Sequence, residues 1–230
     1  MSIVWGLLAV VGGYFLGSIP FGLLIVRRVR GRDIRQWYSG RTGGTNVGRV
    51  AGFRAGFATA VLDVLKAMGA VWLARLLTGG AVGFEVAAGL AAILGHNYSL
   101  FLVRREEGKL RIGGGAGGAA SLGAAAGLWP PALLIILPLI PLIYFGIGYA
   151  SVTTMSIAFL SAVVFLIRAL AGVGPWAYFI YGVLAELTVV WALRPNIQRL
   201  IKGEERLVGW RAQRKNKPSS TTPESVKKMS

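Results

Sequence analysis

Ile3-Val4-Trp5-Gly6-Leu7-Leu8-Ala9-Val10-Val11-Gly12-Gly13-Tyr14-Phe15-Leu16-Gly17-Ser18-Ile19-Pro20-Phe21-Gly22-Leu23-Leu24-Ile25-Val26 runs up to Arg27-Arg28 without a charged residue. A helix needs roughly 20 apolar residues to cross a bilayer, and this stretch has enough. It has no basic leading region and no small-residue cleavage site, and it is long for the core of a secretion signal. It therefore reads as a retained span. The arginines that close it put that end in the cytoplasm and the N-terminus outside. Pro20 lacks a backbone donor and predicts a bend near the inner end.

The same pattern recurs along the chain. Of the 230 residues, 54% are hydrophobic and the mean hydropathy is +0.61, which argues against an ordinary soluble domain. Further spans are predicted at 52–77, 82–103, 151–168 and 175–193, with shorter ones at 117–129 and 132–147. The two short ones either tilt across a thinned region or stop short of crossing; both readings stand. The fold class is thus all-α, a polytopic membrane helical bundle of about seven spans, N-terminus outside and C-terminus cytoplasmic. Seven tryptophans and seven tyrosines suit the interfacial belts. Residues 1–206 form one membrane domain. Residues 207–230 read as a basic, disordered cytoplasmic tail held near anionic lipid.

A net charge of +16 raises the question of nucleic acid. Eight of the 25 Lys and Arg fall in 27–54, four in 103–112 and ten in 194–230, always between or after apolar spans. That is the positive-inside distribution, and no aromatic residues are interleaved for base stacking, so no nucleic-acid partner is expected. The absence of cysteine excludes disulfides, thiolate metal sites and a thioester intermediate. With His96 the only histidine, no metal site is expected.

The polar loop after the first span is Ser39-Gly40-Arg41-Thr42-Gly43-Gly44-Thr45-Asn46-Val47-Gly48-Arg49. Such a cluster beside a bilayer is costly unless it binds something. Its glycines let backbone N–H groups approach an anion, and Arg49 can fork onto phosphate oxygens. Ser39, Thr45 and Asn46 are candidate hydrogen-bonding groups. The alternative is a plain cytoplasmic turn with a lipid-facing arginine. Downstream, 113–118 formally satisfies GxGxxG but lacks the surrounding strand–helix unit. It serves either close helix packing by small residues or phosphate cradling by backbone amides. His96 reads as a general base or as a structural hydrogen-bond donor. Asp63 and Lys66 are three apart and share a helix face as a pair. Glu205 reads as an anchor of the last basic turn, and Glu186 lies inside the last span with no evident partner.

Three blocks resemble the membrane acyl-phosphate:glycerol-3-phosphate acyltransferases of bacterial phospholipid synthesis. The first combines Gly17-Ser18-Ile19-Pro20-Phe21-Gly22, the 39–49 loop and Leu62-Asp63-Val64-Leu65-Lys66. The family's central pattern is SGNPGATNVxR, which Ser39, Gly40, Gly43, Thr45, Asn46, Val47 and Arg49 match in register. The second block is Gly95-His96 with Gly114, Gly115 and Gly117. The third is Arg194, Asn196-Ile197, Arg199-Leu200, Lys202-Gly203 and Glu205. The resemblance implies a multi-pass cell-membrane enzyme with its active face in the cytoplasm, using acyl phosphate and glycerol 3-phosphate without metal or cofactor, among membrane lipids. Oligomeric state is not implied.

On this resemblance Ser39, Arg49 and Asn196 are the candidate catalytic residues. Gly43, Thr45, Asn46, His96, Gly114, Gly115 and Gly117 are candidate substrate-binding residues. The chain departs from the family's KGGKGVAT block, reading Gly113-Gly114-Gly115-Ala116-Gly117-Gly118-Ala119-Ala120, so both lysines are gone. Leu193 stands where the family's third block has histidine. A longer basic stretch precedes the glycine run, and Lys109 or Arg111 is expected to fold back and replace the lysines. The competing readings are a diverged homologue with another acceptor or no activity, and a transporter or scaffold. A transporter would carry polar breaks at mid-membrane, whereas here the polar groups gather at one face.

Overall fold

The computed structural model describes residues 3–106 and 108–215. The first apolar stretch forms α1 (Ile3–Ser18) and α2 (Phe21–Arg30), interrupted where Pro20 disfavours helix at the residue before it. The break frees carbonyls inside the membrane domain, and two of them accept from side chains of other elements. Lys66 Nζ donates to Ile19 O at 2.8 Å, and Ser99 Oγ donates to Ser18 O at 2.6 Å. A short 3-10 turn (Ile34–Gln36) and α3 (Gly44–Ala51) then precede the long α4 (Phe53–Thr78).

After α5 (Val82–Asn97) comes a small hairpin, β1 (Arg104–Glu106) paired antiparallel with β2 (Lys109–Arg111). The predicted span 82–103 is therefore shorter than expected. Its helix ends at Asn97, and Ser99 caps a separate 3-10 turn (Leu100–Leu102) by accepting from Phe101 N–H at 3.2 Å. Next come α6 (Gly118–Leu128), α7 (Pro131–Ile136), α8 (Leu139–Ile147) and α9 (Ala150–Leu170). The chain then runs through α10 (Trp176–Ala192), α11 (Arg194–Ile201) and α12 (Gly209–Lys215).

Small residues let these helices pack closely. A Cβ on Gly17 would come within 2.1 Å of Ala92 O, which locks α1 against α5. Gly123 and Gly127 do the same for α6 against α4, at Val64 O and Val71. Almost every α6 residue is buried, so protein surrounds this helix rather than lipid. Neighbouring helices thus cover this 11-residue helix on nearly every side. Large apolar side chains on α1, α8 and α10, among them Leu7, Leu142 and Leu187, face outward.

By length and composition three helical stretches among the described residues can cross a membrane: Ile3–Arg30, Phe53–Thr78 and Ala150–Leu170. A fourth is added if α10 and α11, bent by 67°, are taken as one. The start of the expected tail is ordered. Leu207 bridges Tyr149, Val208 N–H donates to Gly148 O at 2.8 Å, and Arg211 Nη1 donates to Ile147 O at 2.8 Å. Residues 216–230 of that expected tail lie outside the described residues.

Candidate active site

The 39–49 loop owes its shape to local bonds. Asp33 caps the 3-10 turn before it by accepting from Arg35 N–H at 3.0 Å, and also binds the Arg27 and Arg35 guanidinium groups. Those hydrogen bonds, chiefly from Arg35, hold its carboxyl well below the usual range. Gly40 has φ +67°, and a Cβ there would meet Arg35 O at 2.9 Å, so glycine is required. Asn46 is buried, and its Nδ2 donates to Trp37 O at 3.2 Å and Arg41 O at 2.8 Å. Its amide thus folds the loop over itself, while Thr45 is exposed on the outer side. Gly43 stands immediately before α3 as its N-cap.

The loop docks on the glycine run. Thr42 N–H donates to Gly114 O at 3.1 Å, and Arg41 Nη1 donates to Gly115 O at 3.0 Å. From the other side, Gly115 N–H donates to His96 O at 2.8 Å and Ser99 N–H to Gly113 O at 2.9 Å. The run fits so closely that a Cβ on Gly115 would lie 1.9 Å from His96 Nε2, and one on Gly114 2.1 Å from Asn97 O. Gly117 turns with φ +96° against the Asn97 side chain, whose two polar atoms have no hydrogen-bond partner among the described residues. His96 is buried behind the run, with Nδ1 3.4 Å from Asp63 Oδ1, which also binds Lys66 Nζ at 2.7 Å. These three side chains join α4, α5 and the α1–α2 break beneath the loop.

Above the loop is a cavity of about 260 Å³ lined by Tyr38, Ser39, Arg41, Arg49, Pro195, Asn196, Arg199, Glu205 and Arg206. The three expected catalytic residues Ser39, Arg49 and Asn196 share it. Its one carboxylate, Glu205, is already occupied by Arg199 Nε at 3.0 Å, Asn196 Nδ2 at 2.8 Å and Ser151 Oγ at 3.1 Å. Arg41 and Arg49 form no ion pair among the described residues. Burial is the main influence on both and pulls each guanidinium below its ordinary pKa. The cavity is therefore cationic, partly desolvated and short of counter-charge, which suits a phosphate.

Lys109 and Arg111 do not fold back onto it. They stand exposed on the hairpin, held there by the β1–β2 pairing and the Gly108 turn, with Arg111 Nε 4.0 Å from Glu106. Arg41, Arg199 and Arg206 are the further cations lining the cavity, and sequence reasoning assigned none of them. Arg41 had a readable signal, since it stands where the SGNPGATNVxR pattern has asparagine. Arg206 had none. A second, apolar groove of about 550 Å³ is lined by Leu90, Leu94, Tyr98, Leu184, Leu187, Thr188 and Trp191. Trp191 of this groove precedes Ala192, whose carbonyl accepts from Arg41 Nη2.

A protein family described as glycerol-3-phosphate acyltransferase matches residues 7–203. A Desulforudis audaxviator protein named glycerol-3-phosphate acyltransferase is 38% identical over 205 residues, spanning 89% of this chain and 96% of its own. A Gloeobacter violaceus protein of the same name is 36% identical over 206 residues, spanning 85% and 91%. Among solved structures, the chain resembles PlsY (YgiH), an integral membrane glycerol 3-phosphate acyltransferase, in its glycerol 3-phosphate form. The TM-score is 0.73 at 28% identity, covering 89% of this chain and 96% of that one.

Proposed function

This chain belongs to the glycerol-3-phosphate acyltransferase family, and from that premise we propose that the arginine-lined cavity is where it acylates glycerol 3-phosphate. The chain is a membrane acyltransferase of phospholipid synthesis. The donor is an acyl phosphate and the product is lysophosphatidate. The C1 hydroxyl oxygen of glycerol 3-phosphate bonds to the acyl carbon, the acyl–oxygen bond to phosphate breaks, and inorganic phosphate leaves. The hydroxyl proton passes to a phosphate oxygen, because Glu205, the only carboxylate lining the cavity among the described residues, is tied up in hydrogen bonds.

With no nucleophile–base pair among the lining residues, rate comes from positioning and charge stabilisation. Arg49 clamps a phosphate. Glu205 fixes the Asn196 amide so that its Oδ1 is turned inward to receive the attacking hydroxyl. Ser39 hydrogen-bonds a phosphate oxygen. The observation that carries this reading is a cavity with two arginines unpaired among the described residues, built from the loop whose register matches the family. The apolar groove suits the acyl chain.

The reading extends to topology. Seven spans, an outside N-terminus and an active face toward the cytoplasm of the cell membrane complete the proposal; what supports a shared face is that the loop, the glycine run and the α10–α11 junction meet at one end. The loop touches the glycine run at Gly114 and Gly115, and touches α10 and α11 at Ala192 and Asn196. The decisive experiment supplies purified protein with an acyl phosphate and glycerol 3-phosphate and measures lysophosphatidate. Product is expected; none, where a 38% identical relative turns over in parallel, sinks the proposal.

A further inference from the structure

Arg41 reaches the glycine run from the opposite side of the site, and the geometry points to its guanidinium as the phosphate-receiving cation that the run itself lacks. This inference rests on the acyl-transfer reading of the cavity and adds a substrate-binding residue to it. Arg41 Nη1 donates to Gly115 O at 3.0 Å, and Nη2 donates to Ala192 O and, at 3.5 Å, to Asn196 Oδ1. Neutral oxygens thus hold the guanidinium in place, and no carboxylate pairs with it among the described residues. A guanidinium has five N–H donors, so this arrangement leaves donors over in the cavity. A desolvated cation without a counter-ion is costly, and an entering phosphate dianion relieves that cost.

The sequence pattern supports the same assignment. KGGKGVAT in register puts lysines at positions 113 and 116, where this chain has Gly113 and Ala116, while SGNPGATNVxR puts asparagine at 41. Position 116 directly follows Gly115, whose carbonyl anchors Arg41. The cation absent at 116 and the one present at 41 thus both adjoin the Gly115 peptide. The shared chemistry is a phosphate dianion, carried by both glycerol 3-phosphate and acyl phosphate.

Three variants test this in purified, detergent-solubilised protein: R41N, R41K, and R41N combined with A116K. KM for each substrate is measured separately, together with the rise in melting temperature caused by inorganic phosphate. R41N should raise KM for one substrate roughly 10- to 100-fold, the substrate affected identifying which phosphate is held, and should lose the phosphate-induced rise. R41K should fall between R41N and the parent. A116K in the R41N background should recover most of the lost affinity, which a merely structural staple would not allow. Parental KM values in R41N, or a double variant no better than R41N, would overturn the assignment. Failure of the parent protein to turn over condemns the acyl-transfer reading instead, and the phosphate-induced rise still judges Arg41.

Discussion

Arg49 closes α3 with its guanidinium in the cavity wall and no carboxylate paired to it among the described residues. Arg49→Ala should lower kcat/KM by about 10- to 150-fold, the worth of one charge-assisted hydrogen bond to phosphate, as read by steady-state kinetics. Arg49→Lys should retain part of that, because a point charge survives where the bidentate fork does not. Ser39 and Arg49, singled out in the sequence by their register with a family pattern, both line the cavity. Asn46 stands in the same register, and its Nδ2 donates to the Trp37 and Arg41 carbonyls inside its own loop. Side-chain identity states what a group can bond; only the fold states what is within 3 Å of it.

At the scale of elements, the glycine run is a wedge between α5 and the loop. Gly115→Ala would drive a methyl to 1.9 Å from His96 Nε2, so a marked fall in melting temperature and loss of activity are expected together. The α1–α2 break makes a second element-scale prediction. Lys66 both pairs with Asp63 and satisfies Ile19 O. Lys66→Met should destabilise by about 3–5 kcal/mol, since it takes the ammonium from a buried carboxylate that then keeps only the His96 ring, and reversible unfolding in detergent reads the change. Adding Asp63→Asn to that variant should recover stability. From sequence, the 104–111 stretch promised a basic arm over the site. Antiparallel pairing turned it into an exposed hairpin instead, because a strand pair fixes direction regardless of where its charges would be useful.

For the whole molecule, the apolar groove between α5 and α10 should set acyl-chain preference. Leu184→Trp should shift the profile toward shorter acyl phosphates with little change in KM for glycerol 3-phosphate, measured across a chain-length series. The protein has no cysteine, so topology can be read with single replacements. A membrane-impermeant maleimide should label Val173→Cys on intact cells and Gln36→Cys only after permeabilisation. Labelling of both from outside would reverse the proposed orientation.

The sequence by itself determined that this is a helical membrane protein, roughly where its apolar segments lie, and which family it resembles. Those properties follow from hydropathy, proline placement and motif register, all local along the chain. Tertiary structure decided what local pattern cannot hold. It enclosed the 11-residue α6 in protein on nearly every side. It ordered the first residues after 206 against the α8–α9 turn. It also drew Arg41, Arg49, Asn196 and Glu205 around one cavity across more than 150 positions of chain. The physical reason is that phosphate affinity depends on cation spacing and desolvation in three dimensions, and a cation lost from one segment can be supplied by another that only folding brings near.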